Sequence, residues 1–374
     1  MMPMLKDLKA TGRKVNVLYG LPLLSSQIGR LAELAREIGP GSIAALIDHP
    51  AQLSNIEAFH DIAQAPLDVY VKVDTGYHRA GLPPGGLNKK GLLEKLAELE
   101  STGRVTLLGV YSHSSLSYND STPKQAMDNL AHEILSCMEA LRRDAQYLPK
   151  EKELIISVGA SPQIMSIQNF AGKTDSARSV DEDSANLRSA VQNASEGSMN
   201  GGIKTKLELH AGVYTVLDMQ QLATRASQAY RSHQSEVAAT VVAEVCSLYN
   251  DSERERPEAL IAVGTLGLGR EPCHAYSGWG VVEQLSDTEV REQRLIVERI
   301  SQEHSIVSWE KKRGEQESAA ALPPIPLEVG ETVRVYPNHS CVAGAMYGWY
   351  LVVDSDQDST ASKVVDVWIR ASGW

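Results

Sequence analysis

From Asn16 to about Tyr230, short apolar runs alternate with segments of helical period. The runs are Val17-Leu18-Tyr19, Ile43 to Asp48, Val69 to Asp74, Leu107 to Tyr111, Leu154 to Gly159 and Leu207 to His210. They are short and rich in Val, Ile and Leu, as parallel strands covered on both faces are. Between them, Ser26 to Ile38 puts Ile28, Leu31, Leu34 and Ile38 on one face. Leu92 to Leu99 and Pro123 to Arg143 repeat the pattern, the longer one with Ala126, Leu130, Ile134, Cys137 and Leu141 inward. Alternating strand and helix predicts a parallel sheet or a barrel. Six such units are present. A closed barrel of this class needs eight strands, whereas an open doubly wound sheet can stop at six.

The pattern breaks between Gly172 and Gly202, where Ser, Asn, Asp, Gly and Ala dominate, and this stretch reads as a polar surface insertion. A shorter polar stretch spans Lys311 to Ala320. Beyond about Ser235 helical period is scarce. Val237 to Leu248, Ala259 to Val263, Thr332 to Tyr336, Trp349 to Asp354 and Val364 to Ile369 read as short strands. The expected organisation is an α/β domain over 1–235, with 172–202 as an insertion, followed by a mostly β domain over 236–374.

Composition narrows the function classes. A formal charge of −11 disfavours nucleic acid as a partner, and the 43% hydrophobic share is enough for a substantial core. Cys137, Cys246, Cys273 and Cys341 are far apart and form no CxxC pair, so a reducing compartment is expected. No stretch approaches the roughly 18 apolar residues of a membrane span, and the N-terminus has no apolar signal core. The expectation is a cytoplasmic protein acting on a small molecule.

Candidate chemistry gathers at the strand ends. Lys72-Val73-Asp74-Thr75-Gly76-Tyr77-His78-Arg79 follows the third run. Lys72 and Asp74 share a strand face and can pair, and Arg79 offers a cation at the rim where barrel active sites lie. Ser157-Val158-Gly159-Ala160-Ser161-Pro162 and His210-Ala211-Gly212-Val213-Tyr214 follow consecutive strands, and their small residues could form a cup for a phosphate. His113 faces a ligand or is a packed rim histidine. Near the C-terminus, His339-Ser340-Cys341 puts two residues that zinc favours on one side of an extended segment. A buried Cys beside a satisfied His is the alternative.

Taken together, these segments resemble the D-serine dehydratase family, relatives of D-threonine aldolases that share the alanine-racemase-type (β/α) barrel. The resemblance is carried by Leu18-Tyr19-Gly20-Leu21-Pro22, Lys72 to Gly81, Ser157 to Pro162, Gly212-Val213-Tyr214, Gly264 to Glu271 with Gly278-Trp279-Gly280, His339-Ser340-Cys341, Val365-Asp366-Val367-Trp368 and Gly373-Trp374. It implies pyridoxal phosphate and zinc as cofactors. Ser157, Gly159, Ser161, Gly212 and Tyr214 would lie at the cofactor's phosphate and ring. Arg79 would sit near its phenolic oxygen with Lys72 in support, and His339 and Cys341 would hold zinc. The implied reaction converts D-serine to pyruvate and ammonia, and the implied assembly is a homodimer.

One part of the family pattern has no counterpart here. The family's first strand ends in the lysine that carries the cofactor covalently, and the first matching residues of this chain fall at about the family's third strand. The sequence therefore leads to the expectation of a barrel lacking its first strands, with its catalytic lysine unassigned. Three readings stay open: a D-serine ammonia-lyase, a D-threonine aldolase-like carbon–carbon lyase, and a non-catalytic remnant of a truncated gene model.

Overall fold

The apolar runs of the first half become β1 (Val17–Pro22), β2 (Ile43–Ile47), β3 (Leu67–Lys72), β4 (Val105–Tyr111), β5 (Glu153–Val158) and β7 (Ile203–Leu209), with a two-residue β6 (Ser198–Met199) before the last. This computed structural model describes residues 2–150, 152–170, 177–196, 198–199, 203–285, 293–311, 322–356 and 363–371. Strands β1 to β5 and β7 pair in parallel in sequence order, and antiparallel β6 edges β7. The order never reverses, as it would in a doubly wound sheet, so the winding is that of a (β/α) barrel. Among the described residues the sheet is open, with β1 and β6 at its edges.

Helix α1 (Met2–Ala10) precedes β1, and the other helices follow strands: α2 (Ile28–Ile38), α3 (Leu53–Ala63), α4 (Leu92–Ser101), α5 (Pro123–Arg143), α6 (Ser161–Ser166) and α7 (Ala177–Glu196). Strand β2 is buried along its whole length, and its alternation sorts the core. Ile43, Ala45 and Ile47 pack with Leu31, Ile56, Phe59 and the other inward helix residues. Ala44 and Leu46 turn to the opposite face with Tyr70, Leu18, Tyr111 and Ile155. Burial on both faces is why β2 shows no polar alternation, whereas β7 alternates buried Ile203 and Thr205 with exposed Lys204 and Lys206.

The 172–202 stretch differs from the expectation. Residues 172–176, 197 and 200–202 lie outside the described residues, but α7 occupies most of the remainder, with Leu187, Ala190 and Ala194 buried in the main core beside α5. The stretch is a barrel helix whose inner face is made largely of alanine. Small residues fit where two helices approach closely, and they leave little hydrophobic contrast for a periodicity to reveal.

The chain divides into Met1–Ala211 and Gly212–Gly373, earlier than position 235. The second unit opens with α8 (Met219–Ala223) and α9 (His233–Glu236), and α10 (Thr265–Leu268) and α11 (Ser340–Ala345) follow later. Its strands are β8 (Val241–Tyr249), β9 (Glu258–Ile261), β10 (Gly280–Gln284), β11 (Leu295–Ile300), β12 (Ser305–Trp309), β13 (Thr332–Pro337), β14 (Trp349–Val353) and β15 (Val364–Ile369). Six of them close an antiparallel barrel in the order β10-β11-β12-β9-β8-β13, around Val245, Ile261, Val297, Val307 and Val333. Strands β14 and β15 form a separate hairpin. Residues 312–320 of the second polar stretch, and Gly373-Trp374, lie outside the described residues.

Candidate functional site

The strand ends of the first unit gather a polar cluster on the face opposite the helix-packed core. Tyr111, ending β4, stacks on His210, just past β7, with ring centroids 4.5 Å apart and planes within 1°. His210 Nδ1 lies 3.1 Å from the Ser157 hydroxyl, which in turn donates to Glu208 Oε1 at 2.8 Å. His113 bonds through Nδ1 to the Gly159 carbonyl at 2.7 Å, and its ring is 5.7 Å from that of His210. The carbonyl can only accept, so His113 carries its proton on Nδ1 and presents Nε2 as an acceptor.

Burial sets the charge states. His210 is pushed down to about 3, first by desolvation and then by His113 and Lys72. His113 is also lowered, chiefly by desolvation. Desolvation likewise lowers Lys72, which is buried, donates to the Val73 carbonyl at 3.0 Å and sits 5.6 Å from the Tyr111 ring centroid. Tyr111 is pushed up to about 12 by burial and by Glu133. At neutral pH the cluster therefore holds two neutral imidazoles and a protonated phenol.

Several sequence-predicted residues meet here. Lys72, His113, Ser157 and Gly159 belong to the cluster, and exposed Arg79 reaches the His113 carbonyl through Nη2 at 3.4 Å. Ser161 is buried in the first turn of α6. The expected Lys72–Asp74 pair does not form. Asp74 accepts from the Gly76 and His78 amides at 3.0 Å and faces His78 Nδ1 at 2.9 Å. Burial opposes the charge on Asp74, but these hydrogen bonds outweigh it and hold the carboxyl below its usual range. Gly212 and Tyr214 belong to the opening loop of the second unit, with Tyr214 exposed.

The cluster suits a flat aromatic anion. The Tyr111–His210 stack is a planar wall, Arg79 is a nearby cation, and His210 Nε2 is a buried polar atom without a hydrogen-bond partner. Gly159, at φ +139°, lets the His210 backbone approach closely, since a Cβ there would meet the His210 carbonyl at 2.4 Å. Pyridoxal phosphate has the required shape and charge. The sequence reading put His210 in the cup without a role and passed over Glu208. Their significance comes from pairing across β4, β5 and β7, which no local motif encodes.

In the second unit, His339 precedes α11 and Ser340 and Cys341 are its first two residues, so the His339-Ser340-Cys341 turn is a helix start and not the extended segment expected. His339 is partly buried, and Nδ1 stands 3.4 Å from Oδ2 of the fully buried Asp218. Desolvation works against protonation of His339, but Asp218 and Cys341 outweigh it and push its pKa up to about 10. Asn338, buried beside it, donates to the carbonyls of Glu271 and Gly278 at 2.8 Å and accepts from the Tyr276 hydroxyl. The Gly264 to Glu271 segment packs against the same turn. Gly269, at φ +75°, lies where a Cβ would meet Val342 Cγ1 at 2.5 Å. Imidazole and thiolate donors suit zinc, and two protein ligands leave positions open for water or substrate. Among the described residues no group of three or more His, Cys, Asp or Glu side chains is arranged to enclose a metal.

Comparison with known proteins follows the same two-part division. Residues 20–179 match the family described as "Alanine racemase, N-terminal domain", and residues 238–353 match "Putative serine dehydratase domain". The chain is 28% identical over 366 residues to a D-serine dehydratase of Schizosaccharomyces pombe, covering 97% of this chain and 75% of that protein. It is 26% identical over 368 residues to the D-serine dehydratase of Saccharomyces cerevisiae, covering 96% and 75%. Its fold is similar to that of D-threo-3-hydroxyaspartate dehydratase from Delftia sp. HT23, with a TM-score of 0.69 at 21% identity over 100% of this chain and 83% of the other. A cysteine-to-alanine mutant of that dehydratase has been determined in a metal-free form.

Proposed function

We propose that the chain, whose two parts match the alanine racemase N-terminal and putative serine dehydratase families, is a D-amino acid dehydratase dependent on pyridoxal phosphate and zinc, acting on D-serine. The observation that carries this reading is the His339-Ser340-Cys341 turn, an open nitrogen–sulfur donor pair, within a chain that also has the aromatic and cationic strand-end cluster. When bound, pyridoxal phosphate supplies an electron sink that acidifies the substrate's α-hydrogen. Zinc, when bound, supplies a Lewis acid that makes a hydroxyl a better leaving group.

The chain's own residues contribute the remaining chemistry. The Tyr111–His210 wall would flank the cofactor ring and exclude water from that side. Arg79 would hold an oxyanion on the ring, and Gly159 and Ser161 would receive the phosphate at the β5–α6 turn. Ser157, whose hydroxyl proton goes to Glu208, would accept rather than donate toward His210. His113 Nε2 is an available proton acceptor at the strand ends. Lys72 supports from the strand below, buried and bonded to the Val73 carbonyl. His339 and Cys341 would hold the metal.

We place the protein in the cytoplasm as a homodimer. Cys137, Cys246, Cys273 and Cys341 are all free thiols, which suits a reducing compartment. Among the described residues no helix is long and apolar enough to cross a membrane. The β14–β15 hairpin exposes Trp349, Leu351, Val367, Trp368 and Ile369, an apolar surface that a second copy would cover.

Product analysis tests the reaction. Protein supplied with pyridoxal phosphate and zinc is expected to give pyruvate and ammonia from D-serine and no glycine from D-threonine. Glycine from D-threonine would establish the carbon–carbon lyase instead. Absence of both products in protein that binds both cofactors would favour the non-catalytic reading.

A further inference from the structure

Asp218 lies far from the His–Cys turn in sequence, yet both of its carboxylate oxygens are committed there or to its own helix. Oδ1 caps α8 by accepting from the Gln221 amide at 2.8 Å. Oδ2 accepts from the Ser340 amide at 3.0 Å, across 122 residues of sequence, and faces His339 Nδ1 at 3.4 Å. Two further bonds tie the same segments together. The Ser340 hydroxyl donates to the Leu217 carbonyl at 2.5 Å, and the Gln220 amide donates to the Asn338 carbonyl at 3.1 Å. Leu217 holds φ +48°, a conformation a leucine rarely adopts unless its surroundings enforce it.

Asp218 is fully buried and His339 Nδ1 is buried with no hydrogen bond of good geometry. A buried carboxylate is costly unless a cation or donor stays beside it. A histidine that turns Nδ1–H toward a carboxylate keeps that proton and binds a metal through Nε2, the metal displacing the proton there. Ser340, between the two metal-donor residues, is fixed by the same carboxylate, so one group sets both the ring's tautomer and the backbone from which Cys341 projects.

We propose that Asp218 is the positioning residue of the metal centre: it orients His339 through Nδ1 and locks the His339-Ser340-Cys341 turn, so that Nε2 and the Cys341 thiolate are presented together to zinc. This rests on the metal role assigned above to His339 and Cys341. The charge matters as well as the shape. The amide introduced by Asp218→Asn keeps an oxygen for the α8 cap but can place an N–H opposite His339 Nδ1, which favours the tautomer whose Nε2 is protonated and unable to bind metal.

The test is metal affinity. Chelator-stripped protein is titrated with zinc against a chromophoric competitor for the parent chain, Asp218→Asn, Ser340→Ala and Cys341→Ala. The parent is expected to bind zinc and Cys341→Ala to lose it. Asp218→Asn should bind about 10–100-fold more weakly, the usual effect of removing a ligand's supporting carboxylate. Ser340→Ala removes a hydroxyl bond in the same turn but leaves the carboxylate, and it should weaken zinc less than Asp218→Asn does. With cobalt in place of zinc, Asp218→Asn should shift the ligand-field bands, the signature of a reoriented imidazole, while Ser340→Ala leaves them in place. If Asp218→Asn does not fold, Asp218→Ser retains a cap acceptor for Gln221 and carries the same expectation. Parent-like zinc affinity and cobalt bands in the Asp218 variant overturn the proposal while leaving the metal site standing. Equal zinc binding by the parent and Cys341→Ala overturns the metal reading itself, and the positioning role with it.

Discussion

His210 shows how a residue's chemistry is set by neighbours that only folding brings together. Its ordinary pKa is 6.5, and burial beside His113 and Lys72 pushes it down to about 3. The unfolded chain therefore binds a proton at this histidine across a range of pH where the folded chain does not. By linkage, the stabilisation from keeping it neutral is intact above about pH 6.5 and is lost progressively as pH falls toward about 3. Urea unfolding at pH 7 and pH 5 should show a smaller stability loss on acidification in His210→Phe than in the parent. Equal losses would mean that this imidazole titrates normally. Gly159 can be tested as directly. A Cβ there would stand 2.4 Å from the His210 carbonyl at φ +139°, so Gly159→Ala should cost about 1–3 kcal/mol, and an unchanged melting temperature would show that the turn relaxes freely. The sequence made Gly159, Ser157 and His113 visible as small or polar residues closing strands. It could not display the Tyr111–His210 stack or the Ser157–Glu208 bond, because each joins different strands. Asp218 was hidden for the same reason, its partner Ser340 being 122 residues away.

At the scale of elements, legibility followed hydrophobic contrast. Strands β2, β3 and β5 are runs of Val, Ile and Leu between turns, and the amphipathic faces of α2 and α5 are built from large side chains, so all were apparent from the sequence. Helix α7 was not, because its buried face combines Leu187 with Ala190 and Ala194 among serines and asparagines. Strands β10 to β12 escaped for another reason. Glu283 interrupts β10 and Glu298 and Arg299 interrupt β11, while β12 has serines at Ser305 and Ser308 within its five residues. The helical reading of 172–202 makes a quantitative prediction. Leu187 is 1% exposed, so Leu187→Ala should destabilise the protein by about 2–5 kcal/mol in denaturant melts. In a solvated insertion the same change would stay within roughly 0.5 kcal/mol.

At the scale of the whole molecule, the (β/α) winding and the β-rich second unit agree with the two family matches, over 20–179 and 238–353. The β14–β15 hairpin bears on the assembly. Two strands alone are marginally stable in water, yet Trp368 is 61% and Ile369 86% exposed. Sedimentation of the parent should give a dimer, and Trp368→Asp should shift it toward monomer. A monomeric parent would show that this surface serves something other than a second copy. The central claim concerns chemistry, and a coupled pyruvate assay tests it most directly. The protein is supplied with pyridoxal phosphate and zinc, offered D-serine or L-serine, then stripped with chelator and reloaded. The account predicts pyruvate from D-serine alone, loss of activity on chelation and recovery when zinc is restored. Pyruvate formation unaffected by complete zinc removal, or equal turnover of L-serine, would contradict it.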